Sequence, residues 1–132
     1  MSEPLLITDE RTFSIWTIQL AKWRNAKRQG IFLLDTTAKS GIQQFAPTME
    51  NVLAFKRNQL SVREYTERYT QRMAVSRERF PKVWEGLMSS NRFAIACYCR
   101  AGEFCHRHLF ATEAETYLKS KGYKVERKGE LV

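Results

Sequence analysis

Two short apolar runs constrain this chain more than any other feature: "IFLLD" at 31–35 and "FAIACYC" at 93–99. Both are continuous rather than alternating, the pattern of strands covered on both faces. Strands of that kind belong to parallel sheets, whose crossovers are helices lying above and below. "FSIWTI" at 13–18 alternates and is rich in β-branched and aromatic residues, so it reads as a first strand. "QLAKWRNAKRQG" then places Leu20, Trp23 and Ala26 or Lys27 at helical spacing and closes on Gly30, a helix stop.

The middle of the chain supplies the other helices. "PTMENVLAFKRNQ" starts one, and Ser61 with Glu64 forms a capping box that opens a longer one. Val62, Tyr65, Tyr69, Met73 and Phe80 form its expected inward stripe. "PKVWEGLMSSN" is a short helix begun by Pro81. "CHRHLFATEAETYLKSKG" is a helix ending at Gly122 before a last strand, "YKVER". The expected architecture is α/β: three layers, with a mainly parallel sheet of about four strands flanked by helices. No repeat or linker divides residues 1–132, which read as a single domain.

Eight Phe, five Tyr and three Trp are enough large side chains to build a core, so neither metal nor disulfide is needed to hold the fold, and no cofactor is expected. The opening "MSEPLLITDERTF" lacks the basic and apolar regions of a secretory signal, and no apolar run approaches the roughly 20 residues of a membrane span. The expectation is a soluble, cytoplasmic protein with no membrane partner. The 22 Lys and Arg exceed the 14 Asp and Glu to give +8, which suits a nucleic acid or a phosphate-bearing substrate.

All three cysteines and both histidines fall between Cys97 and His108, in "FAIACYCRAGEFCHRHLF". Alternation puts Cys97 and Cys99 on one face of their strand and Tyr98 on the other. Gly102 permits a sharp turn into a helix beginning near Cys105. Its unpaired amides and dipole favour an anion, with Arg107 and Arg100 available for bidentate contact and Cys99 at the rim. The same field favours thiolate at Cys105 or Cys99. Ligands of open α/β sheets bind beyond the carboxyl ends of strands, so Asp35 and the following "TTAKSG", with Lys39 and Ser40, share this crevice if the two strands are neighbours.

Zinc is the competing reading, through Cys99, Cys105, His106 and His108. Helical geometry opposes it: two residues apart is about 200 degrees, so the histidines point to nearly opposite sides. His106 aligns with Phe110, Ala114 and Tyr117 on the buried face, whereas His108 aligns with Thr112 and Glu115 outside. No metal ligand is therefore assigned.

The "IWTI" strand, "LLDTTAKSG" with "FAP" behind it, "EYTERYTQRM", and above all "CYCRAGEFCHRHLF" followed by "KGYKV" resemble the domain of unknown function 488 family, including its compact phage and bacterial members. The resemblance spans roughly residues 13–128. It implies an α/β domain whose crevice holds Cys105, His106 and Arg107 with Asp35 opposite, and it implies no particular reaction. "DTT" stands where many members have Asp-x-Arg, so the anion contact the resemblance implies for that Arg is either absent or supplied by Lys39.

Two functions from different classes fit these residues. The first is an enzyme or enzyme-derived domain that recognises a phosphate-bearing nucleotide or nucleic-acid group. There Arg107, Cys99, Arg100, Lys39 and Ser40 bind, and Cys105, His106 and Asp35 supply nucleophile and proton transfer. The second is a small basic module that binds nucleic acid or a host protein, with a structural Cys/His cluster.

Overall fold

The computed structural model describes residues 11–100 and 103–132. Residues 1–10 of the opening segment read for a secretory signal, and the turn at Gly102, lie outside the described residues. Four strands, β1 (Thr12–Gln19), β2 (Phe32–Asp35), β3 (Arg92–Cys97) and β4 (Lys124–Leu131), form one parallel sheet in the order β2-β3-β1-β4. Between them lie α1 (Trp23–Arg28), α2 (Met49–Lys56), α3 (Val62–Arg79), α4 (Pro81–Glu85) and α5 (His106–Ser120). The fold is the expected α/β arrangement.

Side-chain alternation sends Phe13, Ile15, Phe93, Ile95 and Leu34 to one face of the sheet, where Tyr65, Tyr69 and Met73 of α3, Trp84 of α4 and Phe110, Ala114 and Leu118 of α5 close over them. The opposite face carries Ile18, Ala94, Ala96 and Leu131, packed with Ala26 of α1 and Ile31. Small alanines on β3 let the short α1 lie close to the sheet.

The capping box forms as expected: Ser61 Oγ accepts from Glu64 N at 3.0 Å, and Ser61 N donates to Glu64 Oε1 at 2.8 Å. The inward stripe of α3 is Tyr65, Tyr69, Met73 and Ser76, however, while Val62 and Phe80 are exposed. Phe80 leaves the helical path because it is the junction at which Pro81 starts α4. Ser76 takes an inward place because its hydroxyl is satisfied, donating to the Gln44 carbonyl at 2.6 Å and accepting from Trp84 Nε1 at 3.0 Å.

A second correction concerns β2. Its apolar run predicted a central strand, but β2 is an edge strand paired only with β3, and Phe32 is 55% exposed. Phe32 is in register with Phe93 on the α3–α5 face, at the margin where helical cover ends. The central places go to β3 and to the alternating β1.

β4 extends beyond the expected "YKVER" and contains a bulge. Ile15 is in register with Arg127 but Trp16 with Gly129, so one residue is inserted, and Gly129 adopts φ 85°. The insertion shifts the alternation, bringing Glu130 opposite Thr17 on the face that carries α5.

Candidate functional site

β2 and β3 are neighbours, so the segments after Asp35 and Cys97 form one crevice at the carboxyl ends of the strands. The Asp35 carboxylate organises the first segment, accepting from Thr37 N and from Ser40 Oγ, each at 2.9 Å. Ser40 N donates to Thr37 Oγ1 at 3.1 Å, and the Gly41 and Ile42 amides reach the carbonyls of Thr37 and Asp35, each at 2.9 Å. A Cβ on Gly41 would lie 2.4 Å from Thr37 N and 2.5 Å from the Asp35 carbonyl oxygen, so only glycine fits. Ser40 Oγ also lies 3.3 Å from the Tyr98 hydroxyl, joining the two segments. Lys39 and Ser40 are exposed, and Lys39 lines the cleft.

Cys105 is the N-cap of α5, and its side chain makes no capping hydrogen bond. His106 is buried. Its Nε2 lies 2.8 Å from the Thr36 carbonyl oxygen and 3.1 Å from Thr36 Oγ1. A carbonyl only accepts, so the network assigns the proton to Nε2 and leaves the Nδ1 lone pair facing Cys105 Sγ at 3.7 Å. Burial pushes the His106 pKa down to about 4 against the opposing hydrogen bond to Thr36, so the ring is neutral near pH 7. His108 is half-buried on another side of the helix, and burial lowers its pKa as well.

The expected anion ligand Arg107 is fully buried, and all five of its donor positions are engaged within the protein. Nη1 donates to Cys97 Sγ at 2.9 Å and to the Cys99 carbonyl at 2.8 Å. Nη2 donates to the Arg100 carbonyl at 3.2 Å and to Glu130 Oε2 at 3.0 Å, and Nε to Glu130 Oε1 at 3.3 Å. Arg107 thus clamps the segment after β3 onto α5 and β4. Arg100 is exposed, and its amide donates to Glu103 Oε1 at 2.8 Å.

The three cysteine sulfurs converge, all within 4.8 Å of one another. Cys97 and Cys105 meet as a disulfide, and Cys99 is the free, half-buried thiol. β3 ends at Cys97, so Cys99 lies in the bend after the strand, outside the alternation expected of it, and its sulfur nonetheless approaches that of Cys97. His106 Nδ1 lies 3.7 Å from Cys105 Sγ, at the edge of this cluster, and His108 is not among its members.

A cleft of about 530 Å³ opens above these groups. Phe55, Tyr65, Tyr98 and Phe104 line it, Lys39 and Lys56 add positive charge, and Cys97, Cys99, Cys105 and His106 contribute to its lining. Phe55 and Phe104 lie 5.3 Å apart between ring centroids, and each packs against Tyr65. Burial and the neighbouring Cys99 raise the Tyr65 pKa well above its ordinary value, keeping the hydroxyl protonated.

The sequence reading missed Thr36, which orients His106, because it treated "TT" as plain loop. It missed Glu130 because the bulge that turns this residue inward leaves no periodic signal. Lys56 and Phe55 were assigned to a helix with no indication that α2 borders the crevice.

Fold and site together define an α/β domain whose crevice, at the ends of two adjacent parallel strands, brings cysteine, histidine and lysine side chains around an aromatic-lined cleft. The sequence profile of the Active DUF488-N3 subclade matches residues 8–117, and the chain belongs to this family. The matched span ends within α5, so β4 and Glu130 lie beyond it. No curated protein and no solved structure gives a significant match.

Proposed function

We propose that the protein is an enzyme acting on a phosphate-bearing nucleotide or nucleic-acid group held in this cleft. The observation that carries the reading is the lining itself: flat aromatic rings suited to a base, two lysines suited to a phosphate, and a Cys105–His106 pair, all around one cavity of about 530 Å³. The description of the matching subclade as active also supports catalysis.

In this reading Lys39 and Lys56 hold the phosphate, helped by the amides at the start of α5 and by the exposed Ser40 and Arg100, which follow the cleft-lining Lys39 and Cys99 in the chain. With the bridge to Cys97 open, Cys105 is the nucleophile, and the His106 Nδ1 lone pair accepts its proton. Thr36 fixes the tautomer that makes this transfer feasible. Asp35 shapes the phosphate-side loop. Arg107 is a positioning residue and does not contact the ligand. A reducing cytoplasm is the compartment that keeps this thiol available, and among the described residues no helix is long and apolar enough to cross a membrane.

Calorimetry of the reduced protein with nucleoside monophosphates, nucleoside triphosphates and a short single-stranded oligonucleotide tests this reading. Binding that weakens about tenfold or more in Lys39→Ala and in Lys56→Ala is expected from the loss of one charge-assisted contact each. Absence of binding to all these ligands, or binding indifferent to both lysines, overturns it.

A second reading has its own observation. Arg68, Arg72 and Arg79, with Gln71 and the exposed Phe80, line a separate groove beside α3. A basic module that binds nucleic acid or a host protein would use this surface. Its binding would fall steeply with salt and would respond to Arg79→Ala but not to the cysteines.

A further inference from the structure

We propose that Cys97, Cys99 and Cys105 form a thiolate site for one zinc-type divalent cation, with its remaining coordination position facing the cleft. The inference does not rest on the nucleotide reading, although Cys105 serves at any moment either as nucleophile or as metal ligand.

Geometry supplies the first argument. The three Sγ atoms lie within 4.8 Å of one another. Thiolates around a tetrahedral zinc, each at about 2.3 Å from the metal, stand about 3.8 Å apart, so small side-chain rotations complete the set. Two of these sulfurs, Cys97 and Cys105, are bonded to each other, so the site belongs to the reduced protein, in which Cys99 stands beside both.

The surrounding charge supplies the second. Arg107 Nη1 donates to Cys97 Sγ at 2.9 Å, and the same nitrogen holds the Cys99 carbonyl at 2.8 Å. One buried guanidinium therefore compensates the charge of one ligand and fixes the backbone of another, the part that outer-shell groups play in metal sites. Cys97 and Cys105 are buried whereas Cys99 is half-buried, and all three border the cleft. Three protein ligands with an open fourth position are the pattern of a zinc that meets a small ligand.

The redox balance is simple. A thiol reductant delivers two electrons and two protons to open the Cys97–Cys105 bond, giving two thiols. Binding of one Zn²⁺ then forms three Zn–S bonds and releases the three thiol protons.

The test uses the full chain, reduced with a phosphine, stripped with a chelator and titrated with Co²⁺ and then Zn²⁺. One Co²⁺ per chain is expected, with sulfur-to-cobalt charge-transfer absorption and the intense visible bands of tetrahedral coordination, all displaced by stoichiometric Zn²⁺. Cys99→Ser, at a half-buried position, should keep the circular dichroism of the parent but bind Zn²⁺ at least about tenfold more weakly. His108→Ala should bind as the parent does. Absence of charge-transfer absorption, unchanged affinity in Cys99→Ser, or loss of metal in His108→Ala each overturns the site. Calorimetry with nucleotides on metal-free samples scores the nucleotide reading separately.

Discussion

The Glu130 carboxylate accepts two hydrogen bonds from the Arg107 guanidinium, at 3.0 Å from Nη2 and 3.3 Å from Nε, and so ties the last strand to the first turn of α5. Thr17 Oγ1 donates to the same carboxylate at 2.5 Å, bringing β1 into the network. Arg107→Lys, which loses the planar fork, should destabilise the protein by about 3 kcal/mol, because carbonyls and a carboxylate then lose their partner in a buried setting. Urea denaturation measures this. A variant of parental stability that had lost only ligand binding would instead place the guanidinium in contact with the ligand.

Gly41→Ala tests the loop after β2. The added methyl meets the Thr37 amide and the Asp35 carbonyl, both backbone atoms that cannot rotate away. A loss of about 1–3 kcal/mol in stability is expected, together with displacement of Lys39 and weaker nucleotide binding. Thermal melting and calorimetry measure the two effects, and an unchanged melting temperature contradicts the geometry.

His106 makes stability pH-dependent in a defined window. Burial lowers its pKa from 6.5 to about 4, so the unfolded state binds the proton more readily between those values. The stabilising contribution is complete above about pH 6.5 and fades as pH falls towards 4, by on the order of 3 kcal/mol at most. Denaturation midpoints from pH 7 to 4 should fall more steeply in the parent than in His106→Gln. Parallel curves would mean that the ring is not held neutral.

The cysteines are distinguishable by alkylation. In oxidised, denatured protein one thiol should react, at Cys99, and after reduction all three should. Intact mass followed by peptide mapping reads the count and the position. Three reactive thiols without reduction would contradict the Cys97–Cys105 pairing.

Much of the fold was legible because its signals are local. The capping box at Ser61, the Pro81 start of α4 and the alternation of β1 each depend on neighbours within a turn or a strand. The rank of β2 was not legible, since a continuous apolar run records hydrophobicity and not how many strands flank it. At the site, the short stretch from Cys97 to His106 brings the three sulfurs and His106 near one another, but Cys99 lies past the end of β3, in a bend that strand alternation does not describe. The inward turn of Arg107 was not legible, because its acceptors include Glu130, twenty-three positions away and redirected by a bulge. Charge at a helix start suggests a ligand contact until a partly buried carboxylate is known to be waiting for it.

The strand order has a consequence for how the chain reaches this state. β1 is flanked by β3 and β4, so its first backbone partner begins at Arg92 and its second at Lys124. During synthesis the residues of β1 therefore emerge long before anything can pair with them. Closing a loop of that length precedes any reward from pairing, which slows refolding relative to a helical bundle of similar size. Until β3 arrives, "FSIWTI" is an apolar, β-prone segment without neighbours, and it is the place at which a nascent chain of this protein is most exposed to aggregation or to capture by a chaperone.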